Sequence, residues 1–136
     1  MGRGTDTPFE QIGAPGIDGV RLSAELNGQA LDGVRFYPVS FRPVSGKYAG
    51  KDCQGVFILV TDRAAIRPVR MGLEIATTLY RLYPDEYDPE EAEKLFASKK
   101  SLAPIRVGEA PAHVAESWKE DEAKWLRLRK PYLLYK

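Results

Sequence analysis

The sequence of 136 residues has very few of the side chains that most often carry chemistry: it contains one cysteine, Cys53, and one histidine, His113. A single cysteine excludes an internal disulfide and a multi-thiolate zinc site, and a single histidine excludes a histidine cluster. A Ser-His-Asp or Cys-His site could use only His113, which makes that chemistry an unfavoured hypothesis. Carboxylates, tyrosines, arginines and backbone groups remain, and we expect no metal and no cofactor.

An excess of charge of one sign is also absent. The chain has 20 Lys and Arg against 19 Asp and Glu, a formal net charge of +1, which predicts no non-specific attraction to nucleic acid or to an anionic membrane. The longest apolar run, Val56–Val60, falls far short of the ~20 residues of a membrane-spanning helix. The N-terminus lacks the apolar core of a signal peptide. We therefore expect no nucleic-acid partner, no membrane partner and no targeting signal in this chain.

The sequence does contain enough apolar material for one packed domain, because 43% of its residues are hydrophobic and its length is near the commonest domain size. Hydrophobic spacing and end signals predict an ordered loop over 1–19, helices over 20–26, 68–83, 88–98 and 111–130, and strands over 34–41 and 53–61. These elements predict an α/β fold, a small mixed sheet flanked by helices. We expect a third strand from the apolar tail at 132–135 or from around 105–107.

Several single residues have a structural interpretation that competes with a functional one. Cys53 opens a strand whose consecutive apolar residues are typical of coverage on both faces, so we expect a core residue with an inert thiol. Pro38 predicts an edge or a bulge in the first strand. Trp118 and Trp125 lie seven residues apart, hence on one helix face, and favour a core role over a sugar platform. His113 is expected at the surface or in a capping position.

The N-terminal glycine-rich stretch holds the first candidate site. Glycines beside Arg3 and Thr5 can present backbone N–H groups to an anion, although the spacing is not that of a phosphate-binding loop. Asp6 and Glu10 form a pair of carboxylates close in sequence, and glycoside hydrolysis uses two carboxyl groups roughly 5–9 Å apart. The alternative is a structural turn, in which Arg3 pairs with one of these acids and the carboxylates cap nearby backbone donors.

A second candidate is the short loop Ser45–Lys51, which carries Lys47 and Tyr48. Such a loop can hydrogen-bond a sugar or a carboxylate, with the tyrosine supplying both a ring and a hydroxyl. The alternative is a solvated connection between two strands.

Taken in order along the chain, these motifs resemble the exo-β-N-acetylmuramidases of the NamZ type, long known as a domain of unknown function. The most specific residues are the opening run Gly2–Glu10 with Ile12–Pro15, and Lys47–Gly50 followed by Cys53, Gly55 and Val56. The likeness continues through Phe41, Ser45, Asp62, Arg63, Pro68, Tyr83, Pro84, Trp118 and the closing stretch Arg129–Tyr135. It covers almost the whole chain. Gly16, where the pattern leads us to expect tryptophan, and residues 98–108 depart from it.

The resemblance implies an enzyme that removes N-acetylmuramic acid from the non-reducing ends of cell-wall glycans. Family members join a Rossmann-like N-terminal domain to a smaller C-terminal α/β domain, with the active site in the cleft between them. This chain then corresponds to an inter-domain seam motif at 1–19 and the C-terminal domain at 20–136. Its partners would be the muramic-acid-containing glycan and the N-terminal domain, and its place the bacterial cell envelope or the exterior.

The resemblance also implies roles for single residues. Asp6 and Glu10 become the candidate catalytic residues. Arg3 and Thr5, with Lys47 and Tyr48 in second place, become the candidate substrate-binding residues. Two alternatives from other classes remain: a carbohydrate-binding module without chemistry, which needs an exposed aromatic platform, and a structural assembly domain, which would show an exposed apolar patch.

Overall fold

The computed structural model describes residues 2–87, 103 and 106–135. Its elements in chain order are β1 (Gln11–Ala14), α1 (Gly19–Gly28), β2 (Val34–Phe41), β3 (Cys53–Val60), α2 (Pro68–Leu82), α3 (Pro111–Glu116) and α4 (Lys119–Arg129), followed by a 3₁₀ turn at Lys130–Tyr132. The helix predicted over 88–98 lies outside the described residues.

The three strands form a sheet in the order β1-β3-β2, and the predicted α/β fold with a small sheet and helices is confirmed. The sheet is antiparallel rather than mixed. Both strand pairs are antiparallel, with Ile12 opposite Val56 and Phe36 opposite Ile58. The third strand is β1, so its expected origin in the tail was wrong. Residues 106 and 107 are not in a strand either, and residue 105 lies outside the described residues. A glycine-containing segment of four residues gives no strand periodicity, and it becomes a strand through its backbone pairing with β3.

The main core lies between one face of this sheet and helix α1. Residues directly opposite in an antiparallel pair share a face, and this register puts Val34, Phe36 and Val56 against Leu22 and Leu26 of α1. All five side chains are buried. Burial of each stabilises the fold by about 1.5–3 kcal/mol relative to exposure.

Helix α1 begins within one residue of its predicted start, and two sets of contacts hold that end. The Asp18 side chain accepts hydrogen bonds from Val20 N at 2.9 Å and Arg21 N at 3.0 Å, the geometry of an N-cap. The Tyr83 hydroxyl at the end of α2 lies 3.1 Å from both the N and the O of Asp18. The start of α1 is thereby joined to the end of α2.

Helix α2 starts at Pro68 as predicted, and its buried face includes Leu73, Ala76 and Leu79. Val69, in the first turn of the helix, is exposed. Pro84 follows the helix and prevents its continuation.

The strand predictions for Pro38 and Cys53 are confirmed. Pro38 lies in β2, an edge strand of the sheet. Cys53 is buried, and burial, with a smaller contribution from the Asp52 carboxylate, raises the pKa of its thiol. The expected coverage of β3 on both faces was wrong at its C-terminal end, where Leu59 and Val60 are exposed.

The single helix predicted over 111–130 is divided into α3 and α4 at Ser117 and Trp118. The Ser117 hydroxyl donates to Val114 O at 2.7 Å, a local bond that competes with helix continuation. Trp118 is half-buried against the small cluster of Leu73 and Val114. Trp125 is 60% exposed, so its predicted core role was wrong. No residue of α4 is buried.

Candidate functional site

Residues 2–10 form an ordered sequence of turns, as expected from their glycines. Gly2 N donates to Gln11 O at 2.8 Å, which ties the start of this segment to β1. Gly2 O in turn accepts from Thr5 N at 3.1 Å and from the Thr5 hydroxyl at 2.5 Å. Residues 2–10, called here the N-terminal loop, are thus held by their own backbone.

Residues 43–51, called here the lysine–tyrosine loop, connect β2 to β3. Gly50 N donates to Pro43 O at 2.8 Å and closes the loop at its base. Ala49 N donates to Gly46 O at 3.2 Å, and Lys51 N donates to Tyr48 O at 3.0 Å. The loop that carries Lys47 and Tyr48 is therefore a turn with internal hydrogen bonds.

The two loops lie directly against each other. Val44 N donates to Gly4 O at 2.8 Å. Gly4 has a φ of +78°, and a Cβ placed on it would lie 2.4 Å from Ser45 O and 2.7 Å from Ser45 N. Both the backbone angle and the close approach require glycine at this position. The structure thus brings together two segments that are about forty residues apart in the sequence.

The candidate binding residues sit on these joined loops. Arg3 and Lys47 are exposed, while Thr5 and Tyr48 are partly buried. Tyr48 packs against the main core, which fixes its ring, and the Lys47 ammonium lies 5.5 Å from the centroid of that ring. This spacing is within the range of a cation–π contact.

The two candidate carboxylates differ in how their backbone is held. Glu10 directly precedes β1, and its carbonyl oxygen accepts from Ile58 N at 2.6 Å, so its backbone extends the strand pairing. Asp6 lies in a bend of the N-terminal loop. Both side chains are exposed. The alternative pairing of Arg3 with one of these acids is not observed: no acidic side chain in residues 2–87 or 106–135 forms an ion pair with Arg3.

The ion pair between Arg42 and Asp52 was not predicted from the sequence. Arg42 Nε and Nη2 donate to the two carboxylate oxygens of Asp52, each at 2.8 Å. These residues flank the lysine–tyrosine loop, one just after β2 and the other just before β3. The pair is exposed, so its contribution to stability is small, but a bidentate geometry fixes the two chain segments relative to each other. Only the strand register, with Phe41 opposite Cys53, reveals their proximity.

Two further findings concern metal binding and membrane-spanning helices. Within the described part of the chain, no three His, Cys, Asp or Glu side chains are grouped so that they could hold a metal ion. None of the helices described is both long and apolar enough to cross a membrane.

Comparison with known proteins gives consistent matches. Residues 1–135 match the family described as exo-beta-N-acetylmuramidase NamZ, C-terminal. The peptidoglycan beta-N-acetylmuramidase NamZ of Bacillus subtilis (strain 168) is 35% identical over 137 residues, which are 98% of this chain and 33% of that protein. The crystal structure of a DUF1343 family protein from Bacteroides fragilis NCTC 9343 superposes with a TM-score of 0.83 at 24% identity, over 98% of this chain and 37% of the other. The chain therefore spans about a third of the length of its curated relative.

Proposed function

The chain belongs to the family of NamZ C-terminal domains, and from this premise we propose that it is the C-terminal part of an exo-β-N-acetylmuramidase acting on peptidoglycan. In this proposal it forms one wall of an active-site cleft and holds the terminal N-acetylmuramic acid. A preceding Rossmann-like domain forms the other wall. Residues 1–19 form the seam between the two parts, anchored on the sheet through β1, and residues 20–136 form the body of the domain. The place of action is the bacterial cell envelope or the exterior.

The observation that supports this proposal most strongly is the contact of the N-terminal loop with the lysine–tyrosine loop. The Val44–Gly4 hydrogen bond places the two most family-specific segments side by side. Their exposed ends then offer two cations, Arg3 and Lys47, and a fixed tyrosine ring at Tyr48. A sugar that carries a carboxylate can use all three kinds of group.

Arg3 is the group we assign to the lactyl carboxylate of muramic acid. A guanidinium presents two parallel N–H groups that match the two oxygens of a carboxylate. The Arg3 side chain is exposed, and no carboxylate of the described residues forms an ion pair with its guanidinium. Thr5 is set by its hydrogen bonds to Gly2 O, so its position relative to Arg3 is fixed by the same turn.

Asp6 and Glu10 are assigned to the reacting end of the sugar, where a carboxylate can bind hydroxyl groups or assist the cleavage. A general acid of a glycosidase works from an environment that disfavours its charge. Both side chains are exposed in this chain, so that environment has to come from the preceding domain. The isolated chain is therefore expected to bind the sugar without cleaving it.

The assignment of Arg3 is tested in a fusion in which the N-terminal two-thirds of the Bacillus subtilis relative precede this chain. Release of N-acetylmuramic acid from a disaccharide is measured for the unchanged fusion, for Arg3→Ala and for the control Arg127→Ala on α4. Loss of a charged hydrogen bond, about 1.5–3 kcal/mol, raises KM by about ten- to a hundredfold. A substrate ending in N-acetylglucosamine should be unaffected. Equal effects on both substrates would contradict the assignment.

The exposed side chain of Trp125 favours a second candidate function, a carbohydrate-binding module without chemistry. Such a module needs an aromatic surface, and Trp125 is exposed together with Tyr132 and Tyr135 of the C-terminal tail. In that case Trp125→Ala would abolish binding of the sugar to the isolated chain. The two-loop site predicts that this substitution has no effect and that Arg3→Ala and Tyr48→Ala weaken binding.

A further inference from the structure

The sheet has a second face, turned away from α1, that is apolar over much of its area. The register places Gln11, Phe57 and Tyr37 in one row across the three strands, and opposite residues share a face. Leu59 belongs to the same face, opposite Arg35. Gln11, Tyr37, Val39, Phe41, Phe57 and Leu59 together form the outer sheet face.

The outer sheet face is incompletely covered within the described part of the chain. Tyr37 is 52% exposed and Leu59 is 41% exposed. Phe57, which lies opposite Tyr37 and two residues before Leu59 on β3, is half-buried. Large apolar side chains grouped on one face, rather than scattered singly, mark a surface that another structure covers.

The N-terminal loop indicates which structure that is. Gly2 is buried on the Gln11 side chain: a Cβ on Gly2 would lie 3.0 Å from Gln11 Cγ, and Gly2 N donates to Gln11 O at 2.8 Å. Gln11 is the first member of the row that continues to Phe57 and Tyr37. The N-terminal loop therefore reaches the outer sheet face at its β1 edge.

The length of the Bacillus subtilis relative indicates how large a region precedes the C-terminal domain in such proteins. The matched family is the C-terminal one, and the chain corresponds to 33% of the Bacillus subtilis relative. About two-thirds of such a protein therefore come before this domain and are joined to it at the edge of the outer sheet face.

We propose that the outer sheet face, centred on Tyr37 and Leu59, is the surface on which the preceding region of NamZ proteins docks. The inference rests on the proposed function only in taking this domain to work joined to that region. Docking there would place the preceding region beside the N-terminal loop, which reaches this face at Gln11 and contacts the lysine–tyrosine loop through Gly4.

Cysteine labelling tests this surface independently of activity. Cys53 is buried with a raised thiol pKa, so the variants Tyr37→Cys and Leu59→Cys each introduce one accessible thiol. Val107 is 81% exposed and lies elsewhere in the chain, which makes Val107→Cys the matched control. The labelling rate of each site, located by mass spectrometry, is compared between the isolated chain and the fusion described above. The comparison is repeated with the N-terminal region of the relative added as a separate polypeptide.

The proposal predicts that labelling at positions 37 and 59 is at least about tenfold slower in the presence of the preceding region, with no change at position 107. Equal rates with and without that region would overturn it. Slow labelling of positions 37 and 59 in the isolated chain would also overturn it. If that labelling rate depends on the protein concentration, a second copy of the chain covers the face. If it does not, the chain covers the face itself. A protected face in a fusion without hydrolase activity would leave this inference standing and contradict the proposed function.

Discussion

The side-chain amide of Asn27 pairs with the backbone of Phe36 through two hydrogen bonds. Its Nδ2 donates to Phe36 O at 2.8 Å, and its Oδ1 accepts from Phe36 N at 3.0 Å. β2 is an edge strand, and an unpaired edge exposes backbone donors and acceptors to other chains. Asn27 occupies one such donor and acceptor pair, and it joins the end of α1 to the edge of the sheet.

We predict that Asn27→Ala lowers the free energy of unfolding by about 1–3 kcal/mol, because two hydrogen bonds are lost. Amide hydrogen exchange at Phe36 should become faster than at the other amides of β2. Gln29→Ala, an exposed neighbour at the same helix end, serves as the control and should change stability by less than about 0.5 kcal/mol. Urea unfolding and exchange measured by NMR give both quantities. An unchanged Phe36 amide would contradict the role of Asn27.

The contact between the two loops of the site can be isolated with a pair of glycines. Gly4 and Gly46 have φ values of +78° and +89°, but a Cβ on Gly4 meets Ser45 O at 2.4 Å, whereas a Cβ on Gly46 meets nothing within 4 Å. The strain of alanine at positive φ is thus common to Gly4→Ala and Gly46→Ala. We predict that only Gly4→Ala displaces the loops, with a further loss of stability of about 1–3 kcal/mol and of sugar binding.

Urea unfolding and NMR spectra of the two glycine variants provide the comparison. The amide signals of residues 3–10 and 43–51 should shift in Gly4→Ala, while in Gly46→Ala the changes should stay near position 46. Equal losses of stability in the two variants would show that the close approach of Gly4 to Ser45 has no energetic role.

The bidentate pair of Arg42 and Asp52 is expected to matter more for sugar binding than for stability. Both residues are largely exposed, and an exposed pair contributes at most about 1 kcal/mol to stability. Asp52→Ala should therefore leave the unfolding midpoint almost unchanged while weakening binding at the lysine–tyrosine loop several-fold. The exchanged pair, Arg42→Asp with Asp52→Arg, should restore part of the binding. A binding affinity that follows stability in all three proteins would contradict a positioning role.

Glu74 gives a prediction about pH. Its side chain is only 7% exposed, and burial raises the pKa of its carboxyl above its ordinary value of 4.5, with Arg70 at 3.8 Å opposing the shift. At pH values between the pKa of the unfolded state and that of the folded state, the folded state therefore keeps a proton on Glu74 that the unfolded state has released. Its contribution to stability falls as the pH rises from about 4.5 through the pKa of the folded state.

Substitution of Glu74 by glutamine removes this loss. We predict that Glu74→Gln gains stability relative to the unchanged chain as the pH is raised from 4 to 8, measured by urea unfolding at each pH. Other titrating groups are common to both proteins and cancel. Glu120→Gln on the exposed face of α4 is the control. A difference that does not vary with pH, or that varies in the opposite direction, would contradict the assigned burial effect.

The sequence could predict the elements whose signals are local. The start of α1, the start of α2 at Pro68 and the β-branched and apolar runs of β2 and β3 depend on signals within a few residues, and each is found where the pattern indicated. β1 could not be predicted in this way, because its four residues acquire their conformation from β3. The division of the helix at Ser117 and the exposure of Trp125 also depend on the surrounding structure. The helical spacing of apolar residues in the sequence does not reveal that structure.

The candidate site was predicted in its parts but not in its arrangement. Residue types and resemblance singled out Arg3, Thr5, Lys47 and Tyr48, but only the three-dimensional structure shows that Gly4 lies against Ser45 and joins their loops. Arg42 and Asp52 carry no local signal at all, since nine residues of loop separate them. Their pairing follows from the register of β2 and β3.

The most direct test of the account is an NMR titration of this chain with a disaccharide that carries N-acetylmuramic acid at its non-reducing end. The account predicts amide shifts in residues 3–10 and 47–48 together, reduced by Arg3→Ala and unaffected by Trp125→Ala, and no change in the anomeric signals of the sugar. Shifts confined to α4 and the C-terminal tail, or the absence of any shift, would contradict a sugar-holding wall built from the two joined loops.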